Sequence, residues 1–246
     1  LIRHFGYTAL FIGCIISSLI ALIFSLIIRI ENSCLASEAG ASHLPRTPRL
    51  RIKKRFSLHD VFEKSVLPIA LIIIIMSICY TSVTTFIDAY TAESGLSSVA
   101  SVFFLVYGAF ILIVRPLAGK LLDRKGDNIV MIPSMVFFAA SLFVLSVAGN
   151  SFMFILAAVL MALGYGNILN IGQAIAVKMT SHHPQRIGTA TSTYFVFSDA
   201  GMGLGPLLMG IVVTAQGYAA MFVIDGVIIA ASVILYYFLH GKRAKY

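Results

Sequence analysis

The stretch Arg115-Pro116-Leu117-Ala118-Gly119-Lys120-Leu121-Leu122-Asp123-Arg124-Lys125-Gly126 places a dense group of charges between two long apolar runs. We expect it to form a compact charged turn between two helices. Gly119 allows the helices to approach closely, and Asp123 can accept hydrogen bonds from a nearby helix N-terminus. Asp123 can alternatively pair with Arg115 or Arg124. A plain solvated turn, whose charges only set the orientation of the chain, is the other interpretation.

On both sides of this stretch, apolar residues dominate the chain. They make up 59% of its 246 residues, and charged residues make up 11%, whereas soluble domains are usually about 45–50% apolar. Seven runs are long enough to cross hydrocarbon as helices: 5–29, 66–89, 97–118, 128–148, 152–177, 187–214 and 218–239. The sequence therefore predicts an all-α, polytopic membrane helical bundle with seven transmembrane helices.

The net charge of +8 is distributed along the chain in a regular way. Every Lys and Arg except Arg3 lies at one set of alternating helix ends. Because basic residues collect on the cytoplasmic side of membrane proteins, these ends and the C-terminus are predicted to be cytoplasmic. We expect a multi-pass protein of the plasma or inner membrane, with anionic lipid rather than nucleic acid against its basic loops.

The chain has one long connection, residues 31–64, which is rich in Lys and Arg. It separates residues 1–30, interpreted as the last helix of an N-terminal half, from a six-helix half with a short basic tail at 65–246. Seven spans with a cytoplasmic C-terminus put the N-terminus outside. We therefore expect that the sequence begins partway through a longer protein and that an N-terminal half is missing.

Polar side chains form a stripe on the second span. Its members are spaced by helical steps and share one face: Ser77, Thr81, Thr84, Thr85 and Asp88. A polar stripe in hydrocarbon should face protein or water. Either it lines a cavity and binds substrate, or it forms hydrogen bonds to a neighbouring helix.

Three carboxylates are candidate proton or substrate sites. Asp199 lies close to the middle of the sixth span, where we expect desolvation to favour its protonated form. This suits a group that loads and releases a proton, although a neutral structural Asp is the alternative. Asp88 and Asp225 lie nearer to helix ends and are weaker candidates.

Two further sets of residues have distinct predicted roles. Asn167 and Asn170 can share a face and hydrogen-bond a substrate, or pack against a neighbouring helix. In the sixth span, small residues and a proline favour close helix contact and bending: Gly201, Gly205, Pro206 and Gly210.

Several kinds of catalytic machinery are missing from the sequence. It has no phosphate-binding loop with a terminal Lys-Ser/Thr, no His-Glu-x-x-His and no Gly-x-Ser-x-Gly. We therefore expect no enzyme activity and no cofactor. The pair His182-His183 suits a solvated loop better than a metal site, so no metal is expected.

The pattern Arg115-Pro116-Leu117-x-Gly119-Lys120-Leu121-x-Asp123-Arg124-x-Gly126 resembles motif A of the major facilitator superfamily, in its second-half copy between helices 8 and 9. Gly164-x-Gly166 and Arg186-x-Gly188-x-Ala190 are similar to that family's helix 10 and its entry to helix 11. Gly201-x-x-x-Gly205-Pro206 is similar to the antiporter motif C, although that motif belongs to helix 5 and here lies in helix 11.

The resemblance implies that the seven spans are helices 6 to 12 of a twelve-helix transporter. It also implies that contacts of the motif at 115–126 hold the inner side shut in the outward-open state. The leading hypothesis is a proton-coupled drug/proton antiporter that exports amphipathic or cationic small molecules by alternating access. An uptake carrier for a sugar or organic acid, and a non-transporting membrane sensor or scaffold, are the alternatives.

Overall fold

The computed structural model describes residues 12, 15–24 and 62–242. They belong to two units, divided between residues 54 and 55. The first contributes α1 (Ile15–Phe24), a short apolar helix within the predicted span 5–29. The rest of that span and most of the loop 31–64 lie outside the described residues, so the domain boundaries at 30 and 64 stay predictions.

The second unit is a bundle of apolar helices, with no strand among its described residues. The helices are α2 (Leu67–Glu93), α3 (Val99–Lys125), α4 (Asp127–Ser146), α5 (Ser151–Leu163), α6 (Tyr165–Met179) and α7 (Ile187–Tyr236). Short 3-10 turns at Lys64–Val66 and Pro184–Arg186 precede α2 and α7, and a π-helical turn, Tyr237–Gly241, ends the described chain. The described part of the chain is therefore an all-α helical bundle, as the sequence predicts.

Five stretches of this unit are long and apolar enough to cross a membrane. They are Lys64–Glu93, Val99–Lys125, Asp127–Ser146, Ser151–Met179 and Ile187–Gly241. The last is interrupted at Gly217, whose φ of 81° and ψ of 174° suit glycine alone. It therefore has two limbs, 187–216 and 218–236, which correspond to the last two predicted spans.

The two limbs of α7 run in opposite directions. Going along α2, Ile74 and Ile78 meet Gly201 and then Gly205 on the first limb, so these two helices are parallel. The contacts of α2 with the second limb have the reverse order, since Ser82 meets Asp225 and Tyr90 meets Tyr218. The chain thus folds back at Gly217, and α2 packs against both limbs.

The charged stretch at 115–126 differs from the predicted turn. Residues 115–125 continue α3, with Pro116 inside the helix, and only Gly126 leaves it, at φ 83° and ψ 175°. Charged side chains near the end of a span can extend to the polar interface, so they need not end the helix. Arg124 and Lys125 in the last turn also stabilise it, because they lie at the negative end of the helix dipole.

The predicted span 152–177 corresponds to the apolar stretch Ser151–Met179, which a break divides into α5 and α6. Gly164 lies between them with non-helical φ −84° and ψ −101°. A Cβ atom at this position would be 2.6 Å from the backbone nitrogen of Phe138. The break therefore lies where the chain passes directly against the backbone of α4.

Burial is uneven among these helices. Most of the largest fully buried side chains belong to α2, α4, α5 and α7, among them Phe138, Phe154 and Phe222. By contrast, α3 buries only Val99, Ala100, Phe103 and Ala118 among its residues, and Leu105 and Leu112 are 73% and 75% exposed. An apolar face of this kind is compatible with lipid or with another apolar protein surface.

Candidate functional site

A groove between α3 and α6 joins the charged stretch to the predicted amides. It encloses about 270 Å³ and is lined by Arg115, Gly119 and Asp123 from α3 and by Asn167 and Asn170 from α6. The sequence suggested no proximity between these two groups, which are about 50 residues apart. Asn167 is buried and donates from Nδ2 to the backbone oxygen of Leu163, 3.1 Å away, whereas Asn170 is exposed.

The charges in this groove are not paired as expected from the sequence. Among the described residues, no ion pair joins Asp123 to Arg115 or Arg124, and all three side chains are exposed. These exposed side chains of opposite charge on one wall of the groove can therefore form ion pairs or hydrogen bonds with another segment. The groove is therefore polar at its rim, and its wall includes the small residues Ala118 and Gly119.

A second cavity of about 290 Å³ continues from the groove past Asp123 to Asp127 and Lys178. Asp127 is buried, and its Oδ1 lies 2.9 Å from Lys178 Nζ while its Oδ2 lies 3.2 Å from His240 Nε2. Next to it, Asn128 Nδ2 donates to the backbone oxygen of Gly241 at 2.9 Å. These contacts tie together the start of α4, the end of α6 and the π-helical turn after α7, directly after Gly126.

The polar stripe on α2 divides into a buried and an exposed part. Ser77 is fully buried, and its Oγ lies 3.2 Å from Ser198 Oγ and 3.3 Å from the Tyr165 hydroxyl oxygen. Thr81 donates to the backbone oxygen of Ser77 at 2.8 Å, and Thr84 lies at the boundary. Only Thr85 and Asp88 are exposed. Much of the stripe is thus engaged in hydrogen bonds within α2 or with neighbouring helices.

The buried hydroxyl network adjoins an aromatic cluster that sequence reasoning missed. The rings of Tyr80 and Tyr165 stack with centroids 3.9 Å apart and planes 9° apart, and Tyr107 lies 6.4 Å from Tyr80. The only sequence signal was the position of Tyr165 between Gly164 and Gly166. The cluster connects α2, α3 and α6 near the break between α5 and α6.

The glycines of the first limb of α7 lie against α2. A Cβ atom added to Gly201 would be 2.5 Å from the backbone oxygen of Ile74, and one added to Gly205 would be 2.8 Å from that of Ile78. Gly210 is less constrained, since the nearest atom, Phe86 Cζ, is 3.7 Å away. Pro206 lies within the helix, and the chain leaves helical geometry at Gly217 instead.

Asp199 lies on the opposite side of the same limb. Two and six residues from it, Gly201 and Gly205 are rotated by about 200° and 240° around the helix. Asp199 and Ser192 are consequently exposed on the surface of this unit, and the expected desolvation of Asp199 stays a prediction. Next to this face, an apolar cavity of about 620 Å³ lies between the start of α2 and the first limb. Its lining includes Phe62, Lys64, Val196, Phe197 and Ala200.

Asp225 is the carboxylate that is buried. It is fully enclosed on the second limb of α7, where its Oδ2 lies within hydrogen-bond distance of Ser82 Oγ of α2. The thiol of Cys79 lies nearby, with Sγ 3.9 Å from the backbone oxygen of Asp225. Ser82 was not predicted as a site residue, although its position three residues after Cys79 puts both on one helix face.

Comparisons with known proteins agree with this helical arrangement. The family model of the Major Facilitator Superfamily matches residues 1–129 and 98–245 of the chain. Multidrug resistance protein MdtG of Salmonella choleraesuis is 28% identical over 148 residues, which are 60% of this chain and 36% of MdtG. An uncharacterized MFS-type transporter of Burkholderia mallei is 30% identical over 192 residues, 78% of this chain and 46% of that protein. In both alignments, the chain spans less than half the length of the relative.

Proposed function

Since this chain belongs to the Major Facilitator Superfamily, we propose that it forms the second half of a proton-coupled secondary transporter. The transporter exports amphipathic or cationic small molecules by alternating access. MdtG, one of the relatives, is a multidrug resistance protein by name, which supports efflux over uptake. The protein lies in the inner or plasma membrane, with its C-terminus in the cytoplasm.

The main support for this proposal is the groove between α3 and α6. It brings Arg115 and Asp123 of the motif-A-like stretch together with Asn167 and Asn170 at the same end of the bundle as the other basic residues. One wall is α3, which buries few of its own side chains in this half. A charged groove beside a lightly buried helix suits a gate that closes against the N-terminal half and opens when the halves rock.

The exposed face of α7 supports a substrate site. Asp199 is next in sequence to Ala200, which lines the apolar cavity of about 620 Å³. An apolar cavity with a few polar groups at its edge is the usual composition of a small-molecule site. An amphipathic cation can place its apolar body in the cavity and its charge near Asp199, which thus acts as candidate carrier for a proton or a cation. Thr85 and Asp88 offer further exposed polar groups on α2.

The basic end of the bundle supports contact with anionic lipid. Lys120, Arg124 and Lys125 at the end of α3 and Lys242 after α7 are exposed. The field of anionic headgroups adds about 1 kcal/mol of attraction for each basic side chain at the membrane surface. In the proposed orientation this end faces the cytoplasm.

A transport assay in everted membrane vesicles tests the function. With a proton gradient imposed, vesicles that contain the full protein should accumulate tetraphenylphosphonium, a lipophilic cation. Asp199→Asn should abolish this accumulation while the variant still inserts in the membrane. Ser192→Ala, on the same exposed face, provides a matched control. Unchanged accumulation by Asp199→Asn excludes Asp199 as the carrier, and accumulation of sugars or organic acids in whole cells favours the uptake alternative.

A further inference from the structure

Asp225 and Ser82 form an enclosed polar pair at the contact between α2 and the second limb of α7. Both residues are 0% exposed. The Oδ2 atom of Asp225 contacts the Ser82 hydroxyl, while its Oδ1 atom is buried and has no hydrogen-bond partner among the described residues. A carboxyl group with one satisfied and one unsatisfied oxygen needs a physical explanation, because buried polar groups are normally paired.

Among the described residues, no cation pairs with Asp225. From α2, the titratable group that faces it is the thiol of Cys79, and Tyr80 turns its ring to Tyr165 instead. From α4, Phe143 packs against Gly226, and the segment 128–146 contains no ionisable residue. In the described part of the chain, no ion pair includes Asp225. An ionised carboxylate enclosed without a cation is strongly unfavourable.

The hydrogen bonds of Ser82 lead to the same conclusion. Its Oγ atom lies 2.6 Å from the backbone oxygen of Cys79 and also contacts Asp225 Oδ2. A serine hydroxyl has a single hydrogen and can donate to only one of these two acceptors. If Asp225 carries a proton, the acid donates to Ser82 Oγ and Ser82 donates to the Cys79 oxygen. The neutral acid therefore turns both contacts into hydrogen bonds.

We propose that Asp225 and Ser82 form a proton-binding site, occluded between α2 and the second limb of α7 in this conformation. Release breaks the O–H bond of the acid, leaves the electron pair on the carboxylate and passes the proton to water. Water reaches the site when the two helices separate. Asp225 lies eight residues after Gly217, about 12 Å along the helix, so the Gly217 end of the bundle provides the shorter route.

This site differs from Asp199 in location and in environment. Asp199 is exposed on the face that we assign to the substrate, whereas Asp225 is sealed inside the six-helix unit. A role of Asp225 as the coupling site rests on the proposed transport function. The binding of a proton by Asp225 is independent of the transport function. It follows from the burial of Asp225, the lack of a paired cation among the described residues and the contacts of Ser82.

Infrared difference spectroscopy on the full protein in lipid tests the site without a transport measurement. A spectrum recorded near neutral pH should contain the carbonyl band of a protonated carboxylic acid. Asp225→Asn should remove this band, and Glu93→Gln, which changes an exposed carboxylate at the end of α2, should leave it. If the band is absent from the unmodified protein, or persists in Asp225→Asn, the proposal is wrong.

Ser82→Ala provides an independent reading if Asp225→Asn does not fold. Without the Ser82 acceptor, the acid loses its hydrogen bond, and its carbonyl band should shift to higher frequency. An unshifted band in Ser82→Ala shows that the acid is located elsewhere and overturns the pairing. If the unmodified protein has the Asp225 band but transports nothing, the proposed function is wrong and the proton site is supported.

Discussion

The contact between α2 and the first limb of α7 permits a quantitative prediction at Gly201. A Cβ atom there would lie 2.5 Å from the backbone oxygen of Ile74 and 2.9 Å from Ser77 Cβ. Ordinary contacts between such atoms are about 3.5–4.0 Å, so Gly201→Ala requires the two helices to move apart by roughly 1 Å. Neither neighbour can avoid this by a rotamer change, because one atom belongs to the backbone and the other is a Cβ.

The expected cost follows from two opposing effects. Overpacking of this kind costs about 1–3 kcal/mol, while replacing a helical glycine by alanine gains about 0.5–1 kcal/mol. The difference is roughly 0–2.5 kcal/mol, and the rigid contact with the Ile74 backbone places Gly201→Ala toward the upper end of that range. The displaced helix should also weaken the contact between Ser77 and Ser198, which lies in the same interface.

Gly203→Ala is the matched control, because it lies in the same limb and a Cβ atom there meets nothing within 4 Å. Thermal unfolding of both variants of the full protein in detergent, followed by the fluorescence of a thiol dye, gives the comparison. Gly201→Ala should melt at a lower temperature than the unmodified protein, and Gly203→Ala should melt at the same or a higher temperature. Equal melting temperatures for the two variants would refute the packing described here.

Three further outcomes follow from other contacts. Asp127→Asn should lower the free energy of unfolding by roughly 1–3 kcal/mol, because it weakens the contacts to His240 and Lys178. Asp123 has neither contact, so Asp123→Asn should change the melting temperature little. Gly126→Ala should lower the free energy of unfolding by about 1–3 kcal/mol, since the φ of Gly126 is 83°. Gly119→Ala is the control and should fold normally. Equal yields of folded protein from the two variants would contradict the turn geometry. In a background without Cys14 and Cys34, the buried Cys79 should react with a small maleimide more slowly in Asp225→Asn than in the unmodified protein at the same pH, because Asn cannot release a proton. Faster labelling of Asp225→Asn contradicts the separation of α2 and the second limb of α7 that accompanies proton release.

The sequence was sufficient to predict the helices of the described unit, because long apolar runs have few alternatives in a membrane. Their limits were less predictable. The stretch 115–126 contains so many charges that a turn was expected, yet the helix continues to Lys125 and turns only at Gly126. Side-chain charge indicates where the membrane interface lies, while the end of the helix depends on the backbone.

Depth along a helix was predictable, but the direction in which a side chain points was not. Asp199 and Asp225 both lie within apolar runs, and Asp199 was the favoured candidate because it is closer to the middle of its span. The structure exposes Asp199 and buries Asp225, because the glycine face of the first limb and the Asp225 face of the second limb both pack on α2. That distinction depends on which helices are neighbours.

Clusters that join distant segments left almost no signal in the sequence. Asp127, Lys178 and His240 come from three elements that meet only after folding. The pairing of Tyr80 with Tyr165 likewise requires the break at Gly164 that divides α5 from α6. A single sequence supplies residue types and helical spacing, whereas these contacts depend on the packing of whole helices.

The most direct test of the central claim is proton movement driven by a substrate. Liposomes that contain the purified full protein and an internal pH-sensitive dye are given tetraphenylphosphonium outside, with no other gradient. Coupled antiport predicts that uptake of the cation is accompanied by proton efflux, so the interior becomes alkaline, and that Asp199→Asn removes this change. Uptake of the cation with no change of internal pH would contradict proton-coupled transport by this protein.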